Sequence, residues 1–128
     1  RRALDITPDQ TDILSNLGLA LTARKQYAEA KACFGAALKL KPELAGAHNN
    51  LATVLYIEQR YAEAARHYRE ALRLTPDDPR IYVNLGDTLV RLGQLAEAAQ
   101  AYRQALQLNP TVPQITLKLQ ALEAGTAK

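Results

Sequence analysis

Four prolines, Pro8, Pro42, Pro76 and Pro110, stand 34 residues apart along the chain. Three more columns keep that step: Ala3, Ala37, Ala71 and Ala105; Leu4, Leu38, Leu72 and Leu106; Ile6, Leu40, Leu74 and Leu108. A fixed period in this range marks a repeat array, in which each unit is one supersecondary element stacked on the next. Further columns fill the rest of the unit. Asn16, Asn50 and Asn84 align and are followed by Leu17, Leu51 and Leu85. Small residues come next at Gly18, Ala52 and Gly86, then Leu21, Leu55 and Leu89. Ala-Glu-Ala recurs at 28–30, 62–64 and 96–98, with an aromatic after it at Phe34, Tyr68 and Tyr102. The units are therefore 11–44, 45–78 and 79–112.

Inside a unit the spacing is helical. Leu51 and Leu55 lie four apart on one face, and Tyr68, Ala71 and Leu72 repeat that spacing in the second half. Short polar stretches, Glu58 to Arg60 and Leu92 to Gln94, suit tight turns between two helices. The proline after each second helix stops it, because proline has no N–H and cannot continue the ladder. Asp78 before Pro79 reads as an N-cap with proline in the first turn. Alanine and leucine dominate, valine and isoleucine are scarce, and there is one Phe and no Trp, which argues against a sheet. The small residues Gly18, Ala52 and Gly86, with Ala30, Ala64 and Ala98, let paired helices approach closely. One hairpin leaves an apolar face open, so hairpins must stack to bury it.

These columns resemble the tetratricopeptide repeat family. Its pattern places a bulky residue at position 4, Leu-Gly at 7 and 8, and an apolar or aromatic residue at 11. Ala at 20, an aromatic at 24, Ala at 27 and Pro at 32 complete it. The second unit carries His48, Leu51, Ala52, Leu55, Ala64, Tyr68, Ala71 and Pro76 at these places. The third carries Tyr82, Leu85, Gly86, Leu89, Ala98, Tyr102, Ala105 and Pro110. The first carries Leu14, Leu17, Gly18, Leu21, Ala30, Phe34, Ala37 and Pro42. Leu14 and His48 depart from the family's preferred Trp. The resemblance covers 11–112 and implies an all-α, right-handed superhelical α-solenoid of antiparallel helix hairpins. Three full repeats are expected, with a capping helix at 113–124 of more polar outer face. Residues 1–10 fit the tail of a preceding repeat through Ala3, Leu4, Ile6 and Pro8. With no methionine anywhere, the sequence reads as a processed product or a piece of a longer array.

Several function classes fall away. The net charge of +3 comes from interleaved signs, as in Tyr61 to Arg66, and not from a cationic run that would hold phosphates. No nucleic-acid partner is expected. No apolar run approaches a membrane span and no signal pattern opens the chain, so no membrane insertion is expected and a soluble, cytoplasmic setting is favoured. Cys33 is the single cysteine, which excludes an intrachain disulfide without fixing the compartment. The chemistry of catalysis is thin. There is one serine, Ser15, and two histidines, His48 in a packing column and His67 in a surface column with Cys33 and Ala101. Glu29, Glu63 and Glu97 recur once per unit, as helix-surface charge does. No enzyme activity, cofactor or metal is expected.

What remains is binding. The resemblance implies that first helices line a concave groove through positions 2, 5, 6, 9, 12 and 13. In the first unit these are Asp12, Ser15, Asn16, Leu19, Thr22 and Ala23. In the second they are Gly46, Asn49, Asn50, Thr53, Tyr56 and Ile57. In the third they are Arg80, Val83, Asn84, Asp87, Val90 and Arg91, with Gln114, Leu117, Lys118 and Ala121 extending the floor. Asn16, Asn50 and Asn84 would make a ladder of amides, each able to donate and accept along a peptide backbone. This looks like the asparagine ladder in the repeat domains of nucleocytoplasmic sugar transferases; fold packing is the alternative role. A carboxylate clamp, known in other members, would need Lys and Asn in the first unit, Asn in the second, and Lys and Arg in the third. Asn50 and Arg80 match, but Ser15, Leu19 and Asn84 stand where the others belong, leaving too little charge. The expected function is a peptide- or protein-binding scaffold. The alternative is an assembly module that self-associates through exposed repeat edges or packs on a fused domain.

Overall fold

A computed structural model describes residues 10–111 and 113–126. The expected tail of a preceding helix, at Ala3, Leu4, Ile6 and Pro8, lies outside the described residues. The described residues form seven helices: α1 (Gln10–Ala23), α2 (Tyr27–Leu40), α3 (Ala45–Ile57), α4 (Tyr61–Leu74), α5 (Pro79–Arg91), α6 (Leu95–Leu108) and α7 (Pro113–Thr126). No strand occurs among them. The architecture is the all-α hairpin solenoid expected from the repeat. α7 runs through Gly125 and Thr126, two residues past the expected close, since no proline stands there to stop it.

Local chemistry explains the bounds. Asp78 caps α5, its carboxylate accepting the Arg80 N–H at 3.0 Å, and Pro79 opens the helix. Glu29, Glu63 and Glu97 are each the third residue of a second helix, at the positive end of its dipole. Lys25, Gln59 and Gly93 make the hairpin turns with φ of 63°, 67° and 79°. This is the left-handed region, natural for glycine and strained for the other two. Lys41 and Asn109 end their second helices in extended geometry and Thr75 also leaves the helical region, in line with the bias of a residue before proline against helix.

Packing then stacks the hairpins. α1 lies on α2, α3 on α4 and α5 on α6, while α2, α4 and α6 each meet the next first helix. First helices also touch each other, α1 with α3 and α3 with α5, whereas second helices make no comparable contact. The first helices therefore crowd the inner side of the curve. In the first and third hairpins the close approach leaves no room for a Cβ, which would lie 2.5 Å from Phe34 Cε1 at Gly18 and 2.6 Å from Tyr102 Cε1 at Gly86, while the second hairpin accommodates Ala52. The main core runs from Ala52 and Leu55 through Tyr68, Leu72, Ile81, Leu85 and Tyr102 to Ile115 of α7. Ile115 is 4% exposed, so α7 closes that core.

Candidate functional site

The groove residues divide into two clusters and a set of separate positions. Asn49, Arg80, Val83 and Asn84 line one cleft with Pro79, Asn109, Gln114, Ile115 and Lys118. Tyr56, Asp87 and Arg91 line a second with Val90, Tyr102, Lys118, Ala121 and Leu122. Lys118 belongs to both, so α7 forms a shared wall. Asn16 and Leu19 are exposed on α1, Ile57 is exposed near the end of α3, and Asn50 and Thr53 are half-buried. None of these five lines either cleft.

The two side-chain bonds between α3 and α5 follow a step of one repeat plus one residue. Asn84 Nδ2 donates to Asn49 Oδ1 at 3.1 Å, and Arg91 Nε donates to Tyr56 Oη at 3.4 Å. Asn84 thus joins Asn49, the neighbour of its own column mate Asn50. The bond uses one donor of Asn84 and one acceptor site of Asn49. The Asn49 amide N–H groups and the Asn84 amide oxygen still have capacity to pair with a peptide. Arg80 folds back on Asp78 through Nη2 to Oδ2 at 3.0 Å, and its side chain remains largely exposed.

Two groove residues hold the second helices. Tyr102 Oη donates to Asp87 Oδ1, and Lys118 Nζ donates to the same oxygen at 2.9 Å. Lys118 Nζ also lies 5.9 Å from the centre of the Tyr102 ring. One carboxylate thereby links α5, α6 and α7. In the second hairpin Thr53 Oγ1 donates to the Asn49 carbonyl at 2.9 Å, so it accepts from Tyr68 Oη at 2.9 Å. Burial pushes the Tyr68 hydroxyl up to about 12. Burial first, then the bond to Asp87, raises Tyr102 further. In the first hairpin the same two places hold Leu19 and Phe34, with no hydroxyl to satisfy. Sequence reading did not pair these columns, yet the signal is present: position 9 is polar where position 24 is Tyr and apolar where it is Phe.

Reading columns alone also leaves His48 and His67 apart, one as packing and the other as surface. The structure brings them together, Nδ1 to Nδ1, at 3.2 Å. Among the described residues no three of His, Cys, Asp or Glu converge as a metal site, and no helix is long and apolar enough to cross a membrane.

A family model described as Tetratricopeptide repeat matches residues 15–79 and 58–113. The curated proteins contain no match. Among solved structures, the chain is similar to the first such domain of Spaghetti (RPAP3) bound to the HSP90 peptide SRMEEVD. The TM-score is 0.90 at 22% identity, covering 96% of this chain and 99% of that one. It is also similar to the second such domain of human RPAP3 in complex with the HSP70 peptide SGPTIEEVD. There the TM-score is 0.84 at 23% identity, over 89% of this chain and 95% of that one. A third is the Yersinia enterocolitica type III secretion chaperone SycD in complex with a peptide of the translocator YopD. Its TM-score is 0.87 at 20% identity, over 94% and 98%. At these identities the likeness speaks for the fold.

Proposed function

Because the chain belongs to the tetratricopeptide repeat family, we propose that it is a non-catalytic binding module that takes an extended peptide segment of a partner protein in its concave groove. The observation that carries this is the amide couple Asn49–Asn84, in a cleft that Arg80, Val83, Ile115 and Lys118 also line. Amides with spare donors and acceptors suit a peptide backbone, and the apolar floor suits one side chain. The two cations of this cleft are each paired with an aspartate of the chain, so the ligand is held by backbone and apolar contacts more than by charge. Tyr56, Arg91 and Asp87 extend the same path toward the far end of the first helices. Asn16, Leu19, Asn50, Thr53 and Ile57 belong to the proposed groove as its outer and N-terminal parts. Peptides bound by RPAP3 and SycD domains of the same fold support the mode and leave the ligand's sequence open.

A displayed random-peptide library panned on the whole chain tests this. Enriched peptides should lose about tenfold or more in affinity when Asn49 and Asn84 are both changed to Ala, because two peptide hydrogen bonds disappear. Equal binding by the double variant and by Arg80→Ala would overturn the groove assignment. Circular dichroism on each variant shows whether the helices are intact.

One observation favours assembly as a second reading. Ile81 and Leu85 are 3% and 7% exposed, whereas Ile13 and Leu17 in the same columns of α1 are 53% and 49% exposed. That open face would associate with another helix of the second type. Sedimentation of the chain and of the Ile13→Asp, Leu17→Asp variant decides it: an oligomer that persists in the variant excludes this face.

A further inference from the structure

His48, in the first turn of α3, and His67, in the middle of α4, meet away from the groove beside Arg66, Arg69, Glu70 and Arg73. Their rings stack with centroids 5.4 Å apart and planes 27° apart. His48 Nε2 lies 3.0 Å from the Pro42 carbonyl oxygen in the turn joining α2 to α3. A carbonyl only accepts, so His48 Nε2 carries a proton in every state. In neutral His48, Nδ1 is then a bare acceptor, and the 3.2 Å contact requires His67 to donate from its own Nδ1. When one proton is added, whichever ring carries it donates from Nδ1 to the bare Nδ1 of the other, whose own proton sits on Nε2. The contact survives the first proton. A second proton sets two N–H groups of two charged rings against each other, and neither can accept.

We propose that His48 and His67 are a one-proton couple that latches the turn between the first two hairpins to α4 and releases it when the second proton binds.

The surroundings oppose that second charge. On α4, Arg66 faces His67, and the two carboxylates in reach, Glu63 and Glu70, are already paired with Arg60 and Arg73. On the turn, Glu43 acts on Arg73. From α6, Glu97 is drawn to Arg69 at 3.7 Å. α3 contributes His48 alone to this cluster. Burial first, then His48 and Arg66, holds His67 below the ordinary histidine value. The sign follows: stability from neutral His67 is full above the unfolded value and is lost as pH falls through the folded one. The joint affected is the one between the α1–α2 and α3–α4 hairpins, so the device lies outside the peptide site and acts on the stack that shapes it.

Imidazole NMR titration of the whole chain, with His48→Gln and His67→Gln, tests the couple. The expected result is two linked titrations, with the His67 midpoint rising in His48→Gln once the neighbouring charge is gone. Amide protection, the exchange rate relative to its intrinsic value at each pH, should fall at Lys41 and His48, whose N–H groups bond the Ala37 and Leu44 carbonyls, on acidification through the lower midpoint in the wild type. It should stay flat in His67→Gln, whose amide N–H still donates to His48 and cannot be charged. Independent titrations unmoved by His48→Gln, or turn exchange that is equally acid-sensitive in His67→Gln, would overturn the proposal.

Discussion

Replacing Asp87 by Leu removes the carboxylate that receives both the Tyr102 hydroxyl and the Lys118 ammonium. Tyr102 is 2% exposed, so its hydroxyl has little access to water. A buried hydroxyl left without a partner costs about 1–3 kcal/mol. The ion pair is 44% and 29% exposed at its two ends, which limits its loss to at most about 1 kcal/mol. The single variant is therefore expected to lose about 1–4 kcal/mol. Tyr102→Phe alone removes one hydrogen bond, a net loss of about 0.5–1.5 kcal/mol. The double variant installs in the third hairpin the Leu and Phe that the first already uses at Leu19 and Phe34, where Phe34 is fully buried. No hydroxyl is stranded, so the double variant should lose less than the two singles together, by about 1–2 kcal/mol. Urea unfolding followed by far-ultraviolet circular dichroism gives each value, and equal m-values show that the same surface unfolds. Losses that add to within about 0.5 kcal/mol would refute the reasoning, since the hydroxyl and carboxylate would then be uncoupled.

Gly86→Ala should destabilise, because a Cβ 2.6 Å from Tyr102 Cε1 costs about 1–3 kcal/mol in overpacking, while Gly35→Ala, with nothing within 4 Å, should gain up to about 1 kcal/mol in helix propensity. Thermal melts moving in opposite directions check the pair. Gln59→Gly should stabilise by relieving a φ of 67°, and Gly93→Ala should cost about 1 kcal/mol at a φ of 79°; the midpoint of urea unfolding reads both. Tyr68 has a hydroxyl raised to about 12, so its contribution to stability is full below pH about 10 and lost as pH rises through about 12. Tyrosinate absorbance should show Tyr68 ionising later than exposed tyrosines, and Tyr68→Phe should blunt the alkaline loss of stability.

Much of the fold was legible because its causes are local and repeated. The Pro columns stop helices by covalent geometry, the Asp78–Pro79 pair starts one, and apolar residues three and four apart fix which face turns inward. The same interactions act three times, so each column was read against two others. Gln59 was legible only as part of the turn at Glu58 to Arg60; the left-handed φ it shares with Lys25 belongs to the turn inside each hairpin, which Gly93 meets without strain. The groove list was legible through the family resemblance, but its internal wiring was not.

The sequence by itself determined the helical segments between residues 11 and 124, their order, their turns and the small residues that let them close up. Tertiary structure decided which side chains face one another across different helices. Neighbouring first helices are offset, so Asn84 meets Asn49 and Arg91 meets Tyr56, 35 residues apart and not the 34 of the repeat. Position 9 ties to position 24, and position 4 to position 23, because the two helices of a hairpin run antiparallel; that is why Asp87 holds Tyr102 and His48 holds His67. α7 brings Lys118 to Asp87 by docking on the last hairpin. A period records what each unit has in common with the next, whereas a site is made of contacts between unlike positions, and those exist only once the hairpins are stacked.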